Sequence, residues 1–187
     1  MRPIAHRGCM AQYPENTLEA FRRSAAVVEM IETDVQRCGS GELVVFHDET
    51  LDRVTDATGE VASTPLSTLR AASVLGTDES IPLLTEVFEA VTPSVGLNLE
   101  LKGTDVAADA VEIAGRYDHE VIVSSFRPDD VADARDAGAA AVAFLLYADA
   151  DATAEFDVSG ALDVGEDLDC SYVHPHVHLC LDTDVVE

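Results

Sequence analysis

Six short apolar, β-branched runs, at residues 3–6, 30–35, 95–102, 121–126, 141–147 and 171–176, recur along the sequence with longer helix-like stretches between several of them. Strands separated by helices imply repeated βα units and a parallel sheet, which confines the chain to the α/β class. Helical periodicity is expected over 18–28, with Asn16 as N-cap and Glu19 three residues later. It is also expected over 66–74, over 83–91 with Thr85 as cap, over 107–116 and over 128–137. Gly39-Ser40-Gly41 reads as a tight turn feeding the segment from Glu42 to His47, so the second strand extends into a hairpin arm. Residues 48–64 are polar and turn-rich, and no linker composition divides 1–187, which reads as a single domain. Strands in this rhythm can close a barrel or lie open, and periodicity does not separate the two.

Two of these strands carry charge where a parallel strand is normally apolar on both faces. Residues two apart on a strand point to the same side. Glu32 and Asp34 therefore share one face, and so do Asn98, Glu100 and Lys102, with Leu97, Leu99 and Leu101 on the opposite one. Three carboxylates converging at strand ends make an oxygen-rich site suited to a hard divalent cation, Mg²⁺ or Ca²⁺. The alternative is a solvated acidic edge, which the flanking apolar residues argue against. His6 and His47 each end a strand. Two histidines beside one anion site can serve as general base and general acid, although each alone is more often a hydrogen-bonded structural residue. Arg7 can grip a phosphate with two hydrogen bonds, or pair with surface acids.

Composition narrows the function further. With 36 Asp+Glu against 11 Lys+Arg the net charge is −25, which argues against binding to nucleic acid or anionic lipid, since both need a cationic face. The 47% hydrophobic content excludes a disordered acidic tail. No apolar run is long enough for a membrane span and no signal peptide is seen. Cys9, Cys38, Cys170 and Cys180 lack CxxC spacing, which fits reduced thiols and a cytoplasmic location. Lys102 is the sole lysine among the 11 cations. Acidic, lysine-poor composition is the style of halophilic proteins, whose self-repulsion salt screens, and it makes an isolated Lys102 a candidate for chemistry rather than solubility.

Taken in order, His6-Arg7-Gly8, Pro14-Glu15-Asn16-Thr17, Glu32-Thr33-Asp34-Val35, Val44-Val45-Phe46-His47-Asp48, Leu51-Asp52-Arg53, Pro82-Leu83-Leu84-Thr85-Glu86, Leu99-Glu100-Leu101-Lys102 and Val123-Ser124-Ser125-Phe126 resemble the glycerophosphodiester phosphodiesterases. The resemblance implies a (β/α)8 TIM barrel with its site at the C-terminal ends of the strands. It implies His6 and His47 as the acid/base pair, Glu32, Asp34 and Glu100 as ligands of a divalent cation, and Arg7 with Lys102 as the phosphate grip. The implied reaction converts a glycerophosphodiester to glycerol phosphate and an alcohol through a cyclic phosphate. Two other readings within reach are a phospholipase on the same barrel and a non-catalytic phosphate-binding or assembly module.

The resemblance fades beyond Phe126. A full barrel takes about 250 residues and eight strands, so the last two βα units are expected to be missing from this chain. Exposed strand edges then predict either a homo-oligomer or a longer natural protein. His174, His176 and His178 fall on one side of an extended segment, which reads as a transition-metal site or as a strand end facing substrate or solvent. Asp149-Ala150-Asp151 reads as a solvated turn, and Cys9 as a packing residue.

Overall fold

In the computed structural model, which describes residues 2–149 and 153–185, six parallel strands and one antiparallel strand form a single sheet. The parallel strands are β1 (Ile4–Ala5), β2 (Met30–Arg37), β4 (Gly96–Leu101), β5 (Val121–Ser125), β6 (Val142–Leu146) and β7 (Tyr172–Pro175), paired in that order. The antiparallel β3 (Leu43–Val45) pairs with β2 as the expected hairpin arm, with Val35 opposite Val45. The helices are α1 (Leu18–Ser24), α2 (Leu66–Leu69), α3 (Leu84–Ala90), α4 (Ala107–Ala114), α5 (Pro128–Asp136), α6 (Val158–Asp167) and α7 (Val177–Asp182).

Alternation along the strands builds two layers. Ile31, Val35, Leu97, Leu99, Leu101 and Val123 face outward into a core shared with Phe21, Leu84, Val87 and Phe88 of the helices. On the other face Met30, Ile122 and Ala143 form a separate apolar cluster. Gly96 lies opposite Met30, and a Cβ there would come within 2.7 Å of the Met30 Cε, so a larger residue would push the end of that side chain aside. A third cluster belongs to the arm and its loops: Val44, Phe46, Leu51, Val61, Leu69 and Ile81 pack together apart from the main core.

Several expectations need correction. Asn16 does not cap α1; Thr17 does, its hydroxyl accepting the Ala20 N–H, while Asn16 sits at φ 56° and turns its amide to β2. Thr85 lies inside α3 rather than at its cap; the Glu86 side chain folds back to accept the Leu83 N–H at 2.8 Å. Helix 66–74 shortens to Leu66–Leu69. α6 is not expected from the sequence, since Gly160 and Gly165 lower the helix propensity of Val158–Asp167 even though Ala161 and Val164 face the core. The segment after β7 already contains a short helix, α7. Arg37 ties the arm down, donating to the Gly41 carbonyl and to Asp109, each at 2.7 Å.

Candidate active site

The register of β2 against β4 sets Asp34 opposite Glu100 and Glu32 opposite Asn98. Glu32, Asp34 and Glu100 therefore converge, with one ligand oxygen from each lying within 4.8 Å of the others. Their exposures are 6%, 0% and 8%, so the acidic-edge reading is excluded. Burial and then the neighbouring Asp34 charge push the Glu32 carboxyl well above its ordinary range, and the same two causes raise Glu100. Glu32 Oε2 accepts the Arg7 N–H at 2.9 Å, but Glu32 Oε1 is buried without a hydrogen-bond partner. Ser124 Oγ and Asn98 Oδ1, on the same face, are buried and unpartnered as well. Oxygen donors crowded in this way fit a hard divalent cation, which would satisfy them and remove the mutual repulsion.

Lys102 follows the end of β4 and reaches back to this group. Its Nζ donates to Glu100 and lies 3.3 Å from Asp34 Oδ1. Burial would lower its pKa, but Asp34 and Glu100 outweigh that and raise it, so Lys102 is held as a cation. Asn16 steadies the other Asp34 oxygen, with Nδ2 2.8 Å from Oδ2, while its own Oδ1 accepts the Thr33 hydroxyl.

His6-Arg7-Gly8 forms a 3-10 turn straight after β1, with φ positive at Arg7, Gly8 and Cys9. A Cβ at Gly8 would stand 2.9 Å from the Ala20 Cβ, so the turn is seated directly on α1 and glycine is required there. This places His6 Nε2 3.7 Å from Glu32 Oε2, and burial followed by the Arg7 charge keeps the His6 pKa below its usual value. Arg7 is largely committed to protein acids: Nη1 donates to Glu15 at 3.1 Å and Nε lies 3.3 Å from Asp34. Cys9 packs against the core, as expected.

His47 arrives from the arm, where β3 runs antiparallel to β2 and the Phe46 N–H bonds the Asp34 carbonyl at 3.0 Å. His6, Arg7, His47, Glu100 and Lys102 line one open cleft of about 1060 Å³, so those five sequence candidates meet at its wall. Phe126, Tyr147, Phe156 and His176 also line this cleft, with the centre of the Phe126 ring 5.9 Å from Lys102 Nζ. Sequence reasoning assigned no role to Glu15, Asp48 or Arg53, although all three lie in the quoted motifs. They form a charged chain beside His47.

The three histidines at 174–178 do not assemble a ligand set. Pro175 ends β7 and α7 begins at Val177; the His176 and His178 ring centres stay 5.0 Å apart, but the His174 ring neighbours Tyr172 instead. Among the described residues, the group of three able to hold a metal is Glu32, Asp34 and Glu100. Asp149 accepts the Tyr147 hydroxyl at 2.8 Å, and residues 150 and 151 of the expected turn lie outside the described residues. No helix among the described residues is long and apolar enough to cross a membrane.

Comparison with known proteins agrees with this arrangement. A glycerophosphodiester phosphodiesterase of Caldanaerobacter subterraneus is 38% identical over 138 residues, 66% of this chain and 57% of that protein. The chain thus spans somewhat more than half the length of the curated relatives it matches. Among solved structures, an Oleispira antarctica phosphodiesterase described in complex with the product sn-glycerol-3-phosphate superposes with TM-score 0.82 at 30% identity, covering 94% of this chain and 75% of that one. A Thermotoga maritima glycerophosphodiester phosphodiesterase gives TM-score 0.76 at 30% identity over 91% and 71%. The architecture is therefore part of a (β/α)8 TIM barrel. The model of the glycerophosphoryl diester phosphodiesterase family matches residues 6–186, a span that holds every group of the cleft wall, and the chain belongs to that family.

Proposed function

We propose that the protein is a metal-dependent phosphoric diester hydrolase that cleaves glycerophosphodiesters to glycerol phosphate and an alcohol. The observation that carries this reading is the convergence, on one cleft, of the buried Glu32, Asp34 and Glu100 with His6, His47 and Lys102. The three carboxylates would hold Mg²⁺ or Ca²⁺, which when bound supplies a Lewis acid against the charge that grows on a phosphodiester in reaction. Lys102 adds a fixed positive charge at the cleft wall. Arg7 keeps Asp34 and Glu15 oriented and presents the remainder of its guanidinium to the phosphate.

One of the two histidines takes the proton from the glycerol hydroxyl that attacks phosphorus, and the other returns a proton to the leaving oxygen. Water then opens the cyclic phosphate with the roles reversed. The Oleispira relative's product, sn-glycerol-3-phosphate, is of the class expected here. The aromatic side chains lining the cleft supply apolar surface for the alcohol portion.

Phosphorus NMR of the chain incubated with a glycerophosphodiester, with Mg²⁺ or Ca²⁺ and then with EDTA, tests the reading. Glycerol phosphate should accumulate with the metal and stop with chelation. Undiminished turnover after thorough chelation would remove the metal role, and glycerol phosphate binding without turnover would favour a phosphate-binding module instead.

A further inference from the structure

His47 is held through a chain of charges that does not line the cleft. Its Nδ1 lies 2.6 Å from Asp48 Oδ1. Both Asp48 oxygens are taken by Arg53, Nε to Oδ2 at 2.5 Å and Nη2 to Oδ1 at 3.0 Å. The same guanidinium clamps both oxygens of Glu15, Nη1 to Oε2 at 3.0 Å and Nη2 to Oε1 at 2.7 Å. Glu15 is only 7% exposed and also accepts from Arg7. Arg53 thus joins the loop carrying His47 to the segment before α1.

A carboxylate only accepts hydrogen bonds, so the proton of a neutral His47 facing Asp48 must sit on Nδ1, leaving the Nε2 lone pair free. An aspartate on the adjacent residue would otherwise rotate among rotamers. The planar, five-donor guanidinium removes that freedom, which a lysine point charge cannot do for two carboxylates at once. We infer that Arg53, anchored by Glu15, is a positioning residue: it locks Asp48 and thereby sets the tautomer and ring orientation of His47. The effect on turnover rests on the proposed hydrolase reading; the effect on the tautomer does not.

Nitrogen-15 NMR of the imidazoles, with His47 identified by its loss in His47→Gln and recorded above the pH at which the ring becomes neutral, reads the tautomer directly. His119 is an internal contrast, because its Nε2 lies 3.0 Å from the Val91 carbonyl and must carry the proton. His47 should show protonated Nδ1 and His119 the opposite. In Arg53→Gln the two His47 nitrogens should move toward averaged values, with Arg53→Lys restoring them only in part. In turnover, Arg53→Gln should lower kcat about 10–100-fold with KM changed less than about twofold, the signature of a misplaced acid or base rather than of lost binding. If Arg53→Gln does not fold, Glu15→Gln should move the same signals in the same direction. A native His47 protonated on Nε2, or signals unmoved in the folded variant, overturns the inference. The expected signals with no turnover in the parent would overturn the hydrolase reading and support the tautomer assignment.

Discussion

Asp34 and Glu100 stand directly opposite one another on β2 and β4, both buried, with Lys102 reaching both. Like charges at opposed positions of a sheet destabilise it, so the fold holds this pair against its own preference.

Removing one of the two should therefore strengthen the metal-free fold. Glu100→Gln is expected to raise Tm in EDTA by roughly 2–4 °C, on the scale of 1 kcal/mol for a chain of this size. Wild type should gain stability from Mg²⁺ or Ca²⁺, about 2.7 kcal/mol at a hundred times Kd, and Glu100→Gln should lose most of that gain. Thermal scans in EDTA and in metal make the comparison. A variant less stable than wild type in EDTA would contradict it.

Replacing His6 or His47 by alanine should each lower the rate by a factor on the order of 10²–10⁴. In the proposed mechanism the two act as a unit, so the double variant should be far less impaired than the product of the single effects. Single-turnover rates decide the matter, and a His47→Ala protein with near-normal kcat would remove the arm from the chemistry.

Acid stability should carry the mark of Asp48. Its hydrogen bonds to Arg53 hold the carboxyl down at about 2 against an ordinary 3.8. A depressed folded pKa stabilises the native state above the unfolded value and loses that stabilisation as pH falls through the folded one. The shift corresponds to about 2 kcal/mol. Denaturant titrations should find Asp48→Asn less stable by roughly that amount near pH 6, with the gap closing as the pH approaches about 2. A gap independent of pH would show that the side chain acts by packing alone.

Salt should stabilise the chain. A net charge of −25 repels itself, and the screening length falls from roughly 10 Å at 0.1 M to roughly 3 Å at 1 M. Tm measured in KCl should climb over that interval. A flat or falling curve would mean that the acidic surface is already balanced locally.

The parallel strands were legible because each is a short apolar run between turn residues, and the carboxylates stood out because the period of two put them on a face that should have been apolar. Asn16 shows where local signals stop. In sequence it looks like a helix cap as much as Thr17 does, and only the tertiary approach of β2 decides that its amide goes to Asp34. Arg53 was invisible for a related reason. Its partners Glu15 and Asp48 lie 38 and 5 residues away, and no periodicity links a loop to a loop. α6 is hard to see because Gly160 and Gly165 lower its helix propensity, although Ala161, Val164 and Leu168 do line one face against the core.

The hairpin arm turns Val44 and Phe46, with its surrounding loops, into a second cluster, while Leu43 and Val45 join the core that supports Glu32, Asp34 and Glu100. The two halves of the site consequently answer in part to different regions of the molecule. Inactivating mutations far from the cleft should sort into two genetic classes. Lesions around Leu51, Val61 or Leu69 would uncouple His47 and spare cation affinity, whereas lesions around Leu97 or Leu99 would abolish both. Such a division also offers a route by which a lineage can silence the proposed reaction while keeping the barrel, since drift confined to one small cluster is enough.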